Sequence, residues 1–111
     1  MRCNIILFET SRGEKPVEEF IKSLSPITTA KVIRTIELLE EFGPFLNMPH
    51  SKKLNADIYE LRIRGKEEVR ILYCFKRRNA YLLHAFKKQS QRTPSKEIAI
   101  AQKRVIDLTK K

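Results

Sequence analysis

A chain of 111 residues with 41% hydrophobic side chains has the length of one domain, 1–111, and can bury a modest core. Its 23 lysines and arginines against 13 acidic residues give a net charge of +10, which points to a polyanionic partner, nucleic acid or an acidic protein, while leaving the fold open. No apolar run approaches a membrane span or a secretory leader, so the expectation is a soluble cytoplasmic protein with no membrane partner.

Cys3 to Phe8 forms the first predicted strand. Pro16 then opens a helix whose Val17, Phe20, Ile21 and Leu24 recur at the spacing of one apolar face. Ser25-Pro26 has the pattern of an N-cap followed by proline in the first turn. The second helix is predicted to bury Val32, Ile33, Ile36, Leu39 and Phe42, and Gly43-Pro44 ends it. So short a connection predicts an antiparallel helical hairpin. Residues 44–56, with Pro44, Asn47, Pro49 and Asn55, read as a loop carrying His50, Lys52 and Lys53 towards the next strand. Strands follow from Tyr59 to Gly65, over about 67–76 and over 79–87, the last two joined at Lys76-Arg77-Arg78-Asn79. Thr93-Pro94 begins a final helix with Ile98, Ala101, Val105 and Leu108 on its buried stripe. The order is that of a two-layer α+β domain: N-terminal strand, helical hairpin, antiparallel sheet and C-terminal helix. The first strand belongs to the same sheet, at a position the sequence leaves open. Cys3 and Cys74 read as two buried thiols in a reducing compartment, with a disulfide as the alternative.

The stretch from Tyr59 to Lys88 holds the charge pattern that matters. Alternation puts Tyr59, Leu61 and Ile63 on one side of the first strand and Glu60, Arg62 and Arg64 on the other. A two-residue turn at Gly65-Lys66 would set Arg62 against Val69. A three-residue loop, Gly65-Lys66-Glu67, sets Arg62 against Arg70 instead and leaves Tyr59, Leu61, Ile63, Val69, Ile71, Tyr73 and Phe75 on one apolar face. A slip of one residue flips every side chain, so the register with the cleaner division is adopted. It gathers Glu60, Arg62, Arg64 and Arg70 on a solvent-facing surface suited to phosphate.

The runs Tyr59-Glu60-Leu61-Arg62, Val69-Arg70-Ile71-Leu72-Tyr73, Leu83-His84-Ala85-Phe86-Lys87-Lys88 and Thr93-Pro94 with Glu97-Ile98 and Ala101 together resemble phage-derived HigB-like toxins of the RelE/ParE superfamily. The resemblance covers nearly the whole chain. It implies the toxin of a toxin–antitoxin pair, whose antitoxin is a small protein encoded next to it, often with a helix-turn-helix domain. The HigB and RelE branches cut messenger RNA in the ribosomal decoding site, and the ParE branch inhibits DNA gyrase. Two function classes therefore stand, a ribosome-dependent endoribonuclease and a non-enzymatic gyrase inhibitor, with a plain RNA-binding module as a third. By the same resemblance, Arg70 occupies the place of a functional strand arginine. The chain departs from RelE-type nucleases where a lysine pair stands, reading Glu60 and Arg62, and no tyrosine follows Tyr81.

Metal-independent RNA cleavage needs a base near the 2′-hydroxyl, cations on the charged phosphorane and a proton donor or cation at the leaving oxygen. Arg62 and Arg70 can supply the cationic clamp, and Glu60 can act as base or orient an arginine. Lys87 or Lys88 extends the clamp, and a two-residue turn at Arg77-Arg78 puts Lys87 on the Arg70 face. Arg64, Lys88, Lys52 and Lys53 are phosphate-binding candidates, though an exposed strand face carries such charges in any protein. His84 has a proton affinity suited to a base, but the adopted register puts it with Leu82 and Phe86 on the hairpin-facing side as a core histidine. His50 is a loop residue within possible reach, and Tyr73 reads as a core aromatic with a wet hydroxyl. With two isolated histidines and three glycines, neither a metal nor a nucleotide cofactor is expected.

Overall fold

The computed structural model describes residues 2–110. Its elements are β1 (Asn4–Leu7), α1 (Pro16–Lys22), α2 (Pro26–Phe42), a 3-10 turn at Gly43–Phe45, β2 (Ser51–Lys53), β3 (Tyr59–Ile63), β4 (Val69–Lys76), β5 (Asn79–Lys87) and α3 (Ser95–Thr109). The fold is α+β, with five strands in the order β1-β5-β4-β3-β2. β1 runs parallel to β5, and all other pairs are antiparallel. The chain thus returns to its first strand only after every other strand has been made, which completes the mixed sheet.

The helices begin and end where their caps dictate. The Ser25 side chain accepts a hydrogen bond from the Thr28 backbone N–H at 3.3 Å, and Pro26 occupies the first turn, where a missing N–H costs nothing. Gly43 closes α2 with φ 53, a conformation that only glycine adopts without a steric penalty. Val17, Val32 and Leu39 are wholly buried against Leu61, Ile63, Val69, Ile71, Tyr73 and Leu82, so the hairpin covers one face of the sheet. Ile33 and Phe42, expected in that stripe, are 49% and 42% exposed. Thr28 and Thr35 are buried in their stead, because the stripe of α2 runs through 28, 32, 35 and 39. Thr35 meets the cost of burial by donating to the Lys31 carbonyl at 2.8 Å.

The segment 44–56 is not all loop. Ser51–Lys53 forms an edge strand against β3, with Ser51 opposite Leu61 and Lys52 opposite Glu60. Two lysines in three residues hide a strand from a pattern search, and such charge is how sheet edges avoid pairing with other chains. Ser51 is hydrogen-bonded to the hydroxyl of Tyr73, which is 1% exposed, so that hydroxyl is not wet as expected.

α3 packs on the other face. Its Ile98, Ala101, Val105 and Leu108 meet Phe8, Ile58, Leu72, Cys74, Leu83 and Phe86. The surface that the sequence presented as solvent-facing is therefore half covered. Cys3 lies in the hairpin-side core and Cys74 in the α3-side core, with the sheet between them, so both are free buried thiols.

The β3–β4 register sets Arg62 opposite Arg70 and Leu61 opposite Ile71, as the cleaner apolar division required. β5 departs from simple alternation. Tyr73 pairs with Leu82 but Leu72 pairs with His84, so Leu83 is an extra residue in a β-bulge. Beyond it every β5 side chain changes sides relative to the expectation.

Burial raises the Tyr73 phenol to about 12 and the Cys74 thiol to about 11. Both groups bind their protons more tightly folded than unfolded, so their stabilising contribution is complete below the unfolded values and disappears as pH rises through the folded ones. Urea unfolding at several pH values should accordingly show stability falling from about pH 9 to about pH 12. Tyr73→Phe should remove the part of that fall above about pH 10. An unchanged alkaline profile in the variant would place Tyr73 in contact with solvent.

Candidate functional site

On the α3 side, beyond the end of that helix's cover, β3, β4 and the segment after β5 enclose an open cleft of about 500 Å³. Arg62, Arg64, Glu68, Arg70 and Lys88 line it, with Gln89, Ser90 and Gln91 completing the rim. Glu60 and Arg62 come from β3, Arg70 from β4 and Lys88 from the residue after β5, so two adjacent strands and the end of a third meet at one spot.

Glu60 is the centre of the arrangement. Its carboxylate is 2% exposed, with Oε1 at 3.6 Å from Nε of Arg62 and 3.8 Å from Nε of Arg70. Its other oxygen, Oε2, accepts from the hydroxyl of Thr93 just ahead of α3. The Arg70 guanidinium is almost wholly buried and makes two further contacts, to Glu68 Oε1 at 3.0 Å and to the Val69 carbonyl at 3.1 Å. Neither Nε has a hydrogen-bond partner among the described residues. Glu60 is thus held between two arginines and a threonine, geometry that orients guanidinium groups. Desolvation pulls the Arg70 guanidinium below its ordinary value, while Glu60 and Glu68 pull it back up and Arg62 opposes them. The Lys88 ammonium is lowered by burial and then by Arg70 and Arg62, so it parts with its proton more readily than an ordinary lysine.

Of the expected site residues, Glu60, Arg62, Arg64, Arg70 and Lys88 do come together. Lys87 does not. The Leu83 bulge sets it opposite Val69 on the hairpin side, where Nζ lies 2.6 Å from Glu67 Oε2. Lys87 and the Thr28 hydroxyl hold the Glu67 carboxyl below the usual carboxylate range. The same bulge overturns the placement of His84, which faces α3 and bonds Glu97 at 2.7 Å while stacking on Phe86. His84 does not line the cleft. Tyr73 is on the opposite face of the sheet, stacked on Tyr59 and bonded to Ser51. His50 borders a neighbouring groove. Lys52 and Lys53 are exposed on β2, and Lys53 sits 5.7 Å from the Tyr59 ring.

A family model described as Phage derived protein Gp49-like (DUF891) matches residues 19–105. The chain belongs to this family. The Gp49-like family is associated with toxin–antitoxin systems and is of the RelE/HigB type. No curated protein matches the chain. In this Gp49-like chain the matched span includes every residue of the cleft. No helix among its described residues is long and apolar enough to cross a membrane.

The site has two further contributors, Glu68 and Thr93. Glu68 stands two residues before Arg70 on the same side, a signal that alternation along β4 contains. Thr93 has the sequence pattern of a helix start, and nothing local marks it as a partner of Glu60.

Removing one member of a buried charge group strands the others, which typically costs about 3–5 kcal/mol. Arg70→Ala should therefore lower stability by about that amount in urea unfolding, whereas Lys87→Ala, which breaks a half-exposed pair, should cost under about 1 kcal/mol. Equal losses in the two variants would mean that Arg70 is solvated.

Proposed function

We propose that the protein is the toxin of a toxin–antitoxin pair and cleaves messenger RNA on the ribosome without a metal ion. The observation that supports this reading is the convergence of Arg62, Arg70 and Lys88 on one cleft, as a phosphoryl-transfer site requires. The family supplies the antitoxin as partner; messenger RNA and the ribosome come with the nuclease reading.

The 2′-hydroxyl loses its proton and attacks the adjacent phosphorus, the bond to the 5′-oxygen breaks, and that oxygen takes up a proton. The products are a 2′,3′-cyclic phosphate and a 5′-hydroxyl. The exposed Arg64, and Arg62, whose side chain is 11% exposed where it lines the cleft, meet the phosphate oxygens directly. Arg70 presents positive charge from beneath them, with Glu60 fixing the angle of both strand arginines. Lys88, with its lowered proton affinity, protonates the leaving oxygen. Glu68, whose side chain is 42% exposed, occupies Arg70 from the lip of the cleft and yields to the incoming phosphate. Glu60 is already engaged by three partners, so the base for the 2′-hydroxyl comes from outside this cluster. That division explains dependence on the ribosome, which positions the substrate and so supplies much of the rate.

Mapping RNA 5′ ends after induction of wild type, Arg62→Ala and Lys88→Arg at matched soluble levels tests this. Wild type should arrest growth and produce new 5′-hydroxyl ends within translated regions. Arg62→Ala should reduce cutting about 10²-fold by losing a cation on the phosphorane. Lys88→Arg keeps the charge but loses the transferable proton, and should also fall about 10²-fold with binding retained. Growth arrest with lost supercoiling and no new RNA ends replaces this reading with gyrase inhibition.

A further inference from the structure

Beside the cleft, between α2 and the segment leading to β2, lies a second groove of about 270 Å³. Lys31 and Arg34 of α2 line it together with Arg62 and Arg64, and the half-buried Leu38 adds apolar surface. No acidic side chain among the described residues borders it. Arg62 and Arg64 border both the groove and the cleft, so the two form one positive track.

Lys31 and Arg34 are exposed, and neither makes an ion pair among the described residues. The Lys31 ammonium nevertheless lies against Gly65 in the β3–β4 loop, where a Cβ would stand 2.7 Å from Nζ. A side chain at Gly65 would displace that ammonium from the loop that follows Arg64. Lys31, Arg34 and Arg64 pair with no carboxylate among the described residues, so they repel one another, and an anion drawn from outside relieves the repulsion. The track has the make-up of a single-strand nucleic-acid groove, with cations for successive phosphates and apolar surface for a base.

We propose that this groove is a subsite for the RNA nucleotides flanking the scissile phosphate, with Lys31 and Arg34 binding their phosphates. The inference rests on the RNA reading of the cleft. Continuity through Arg62 and Arg64 favours the RNA strand over an acidic peptide as occupant, because a strand leaving the cleft meets this track first.

The test uses 2′-O-methyl oligoribonucleotides, which bind but cannot be cut, as a trinucleotide and as hexanucleotides extended on either side, read by fluorescence anisotropy. Wild type should bind one hexanucleotide at least tenfold tighter than the trinucleotide. The Lys31→Ala/Arg34→Ala variant should lose that gain, keep trinucleotide affinity, and show a salt slope smaller by about 1.4, for two phosphate contacts of about 0.7 each. A length gain that survives in the variant, or trinucleotide affinity that falls equally, overturns the subsite. Binding of a glutamate-rich peptide that the variant abolishes, with no length gain for RNA, overturns it in favour of a protein occupant. RNA-end mapping separates the two levels. New ends with an unaffected length gain overturn the subsite alone, and a length gain lost in the variant without new ends supports the subsite while the nuclease reading falls.

Discussion

The buried carboxylate of Glu60 between Arg62 and Arg70 is the interaction on which the rest depends. Two guanidinium groups placed directly opposite on neighbouring strands would repel at close range, and moving either out of water costs several kcal/mol. Glu60 lies on the same side of β3 as Arg62, and its distances of 3.6 and 3.8 Å to the two Nε atoms let a like-charged pair share one site. Thr93 ties the carboxylate to the start of α3, and Glu68 takes Arg70 from the open side. Helix cover, strand register and charge placement therefore meet at one residue.

The surplus of charge in the cleft follows from that arrangement. Four cations face two carboxylates, and the one that remains half-exposed, Glu68, is also the one that can move aside. The bulge at Leu83 decides which lysine joins them. Without the extra residue Lys87 would point into the cleft, but the shift sends Lys87 to Glu67 and leaves Lys88 beside the arginines. One inserted residue in β5 thus chooses the lysine that shares a cleft with three arginines and has its proton loosened by burial and by Arg70 and Arg62.

Much of this was legible in the alternation of residues 59–75, because a core face tolerates only one register. The caps at Ser25 and Gly43 were legible for the same kind of reason, each being a residue type suited to a particular backbone geometry. The bulge was not, since Leu82-Leu83-His84 reads as ordinary strand and contains no glycine or proline to mark a fault. β2 was hidden by its lysines. The burial of Arg70 could not be read from β4 alone, because it depends on packing around the strands and on Glu60, ten residues earlier in the chain. Ile33 and Phe42 were misplaced because α2 buries two threonines, which a search for apolar residues passes over.

A double-mutant cycle on Glu60→Gln and Arg70→Met, followed by urea unfolding, measures the central interaction directly. Each single change takes a partner from a buried charge, leaving Glu60 with Arg62 alone or Arg70 with Glu68 alone, whereas the double change removes both members of the pair. The account predicts that the double variant loses less stability than the sum of the singles, by about 1–3 kcal/mol. Additive losses within about 0.5 kcal/mol would show that the two residues do not share the buried charge network described above.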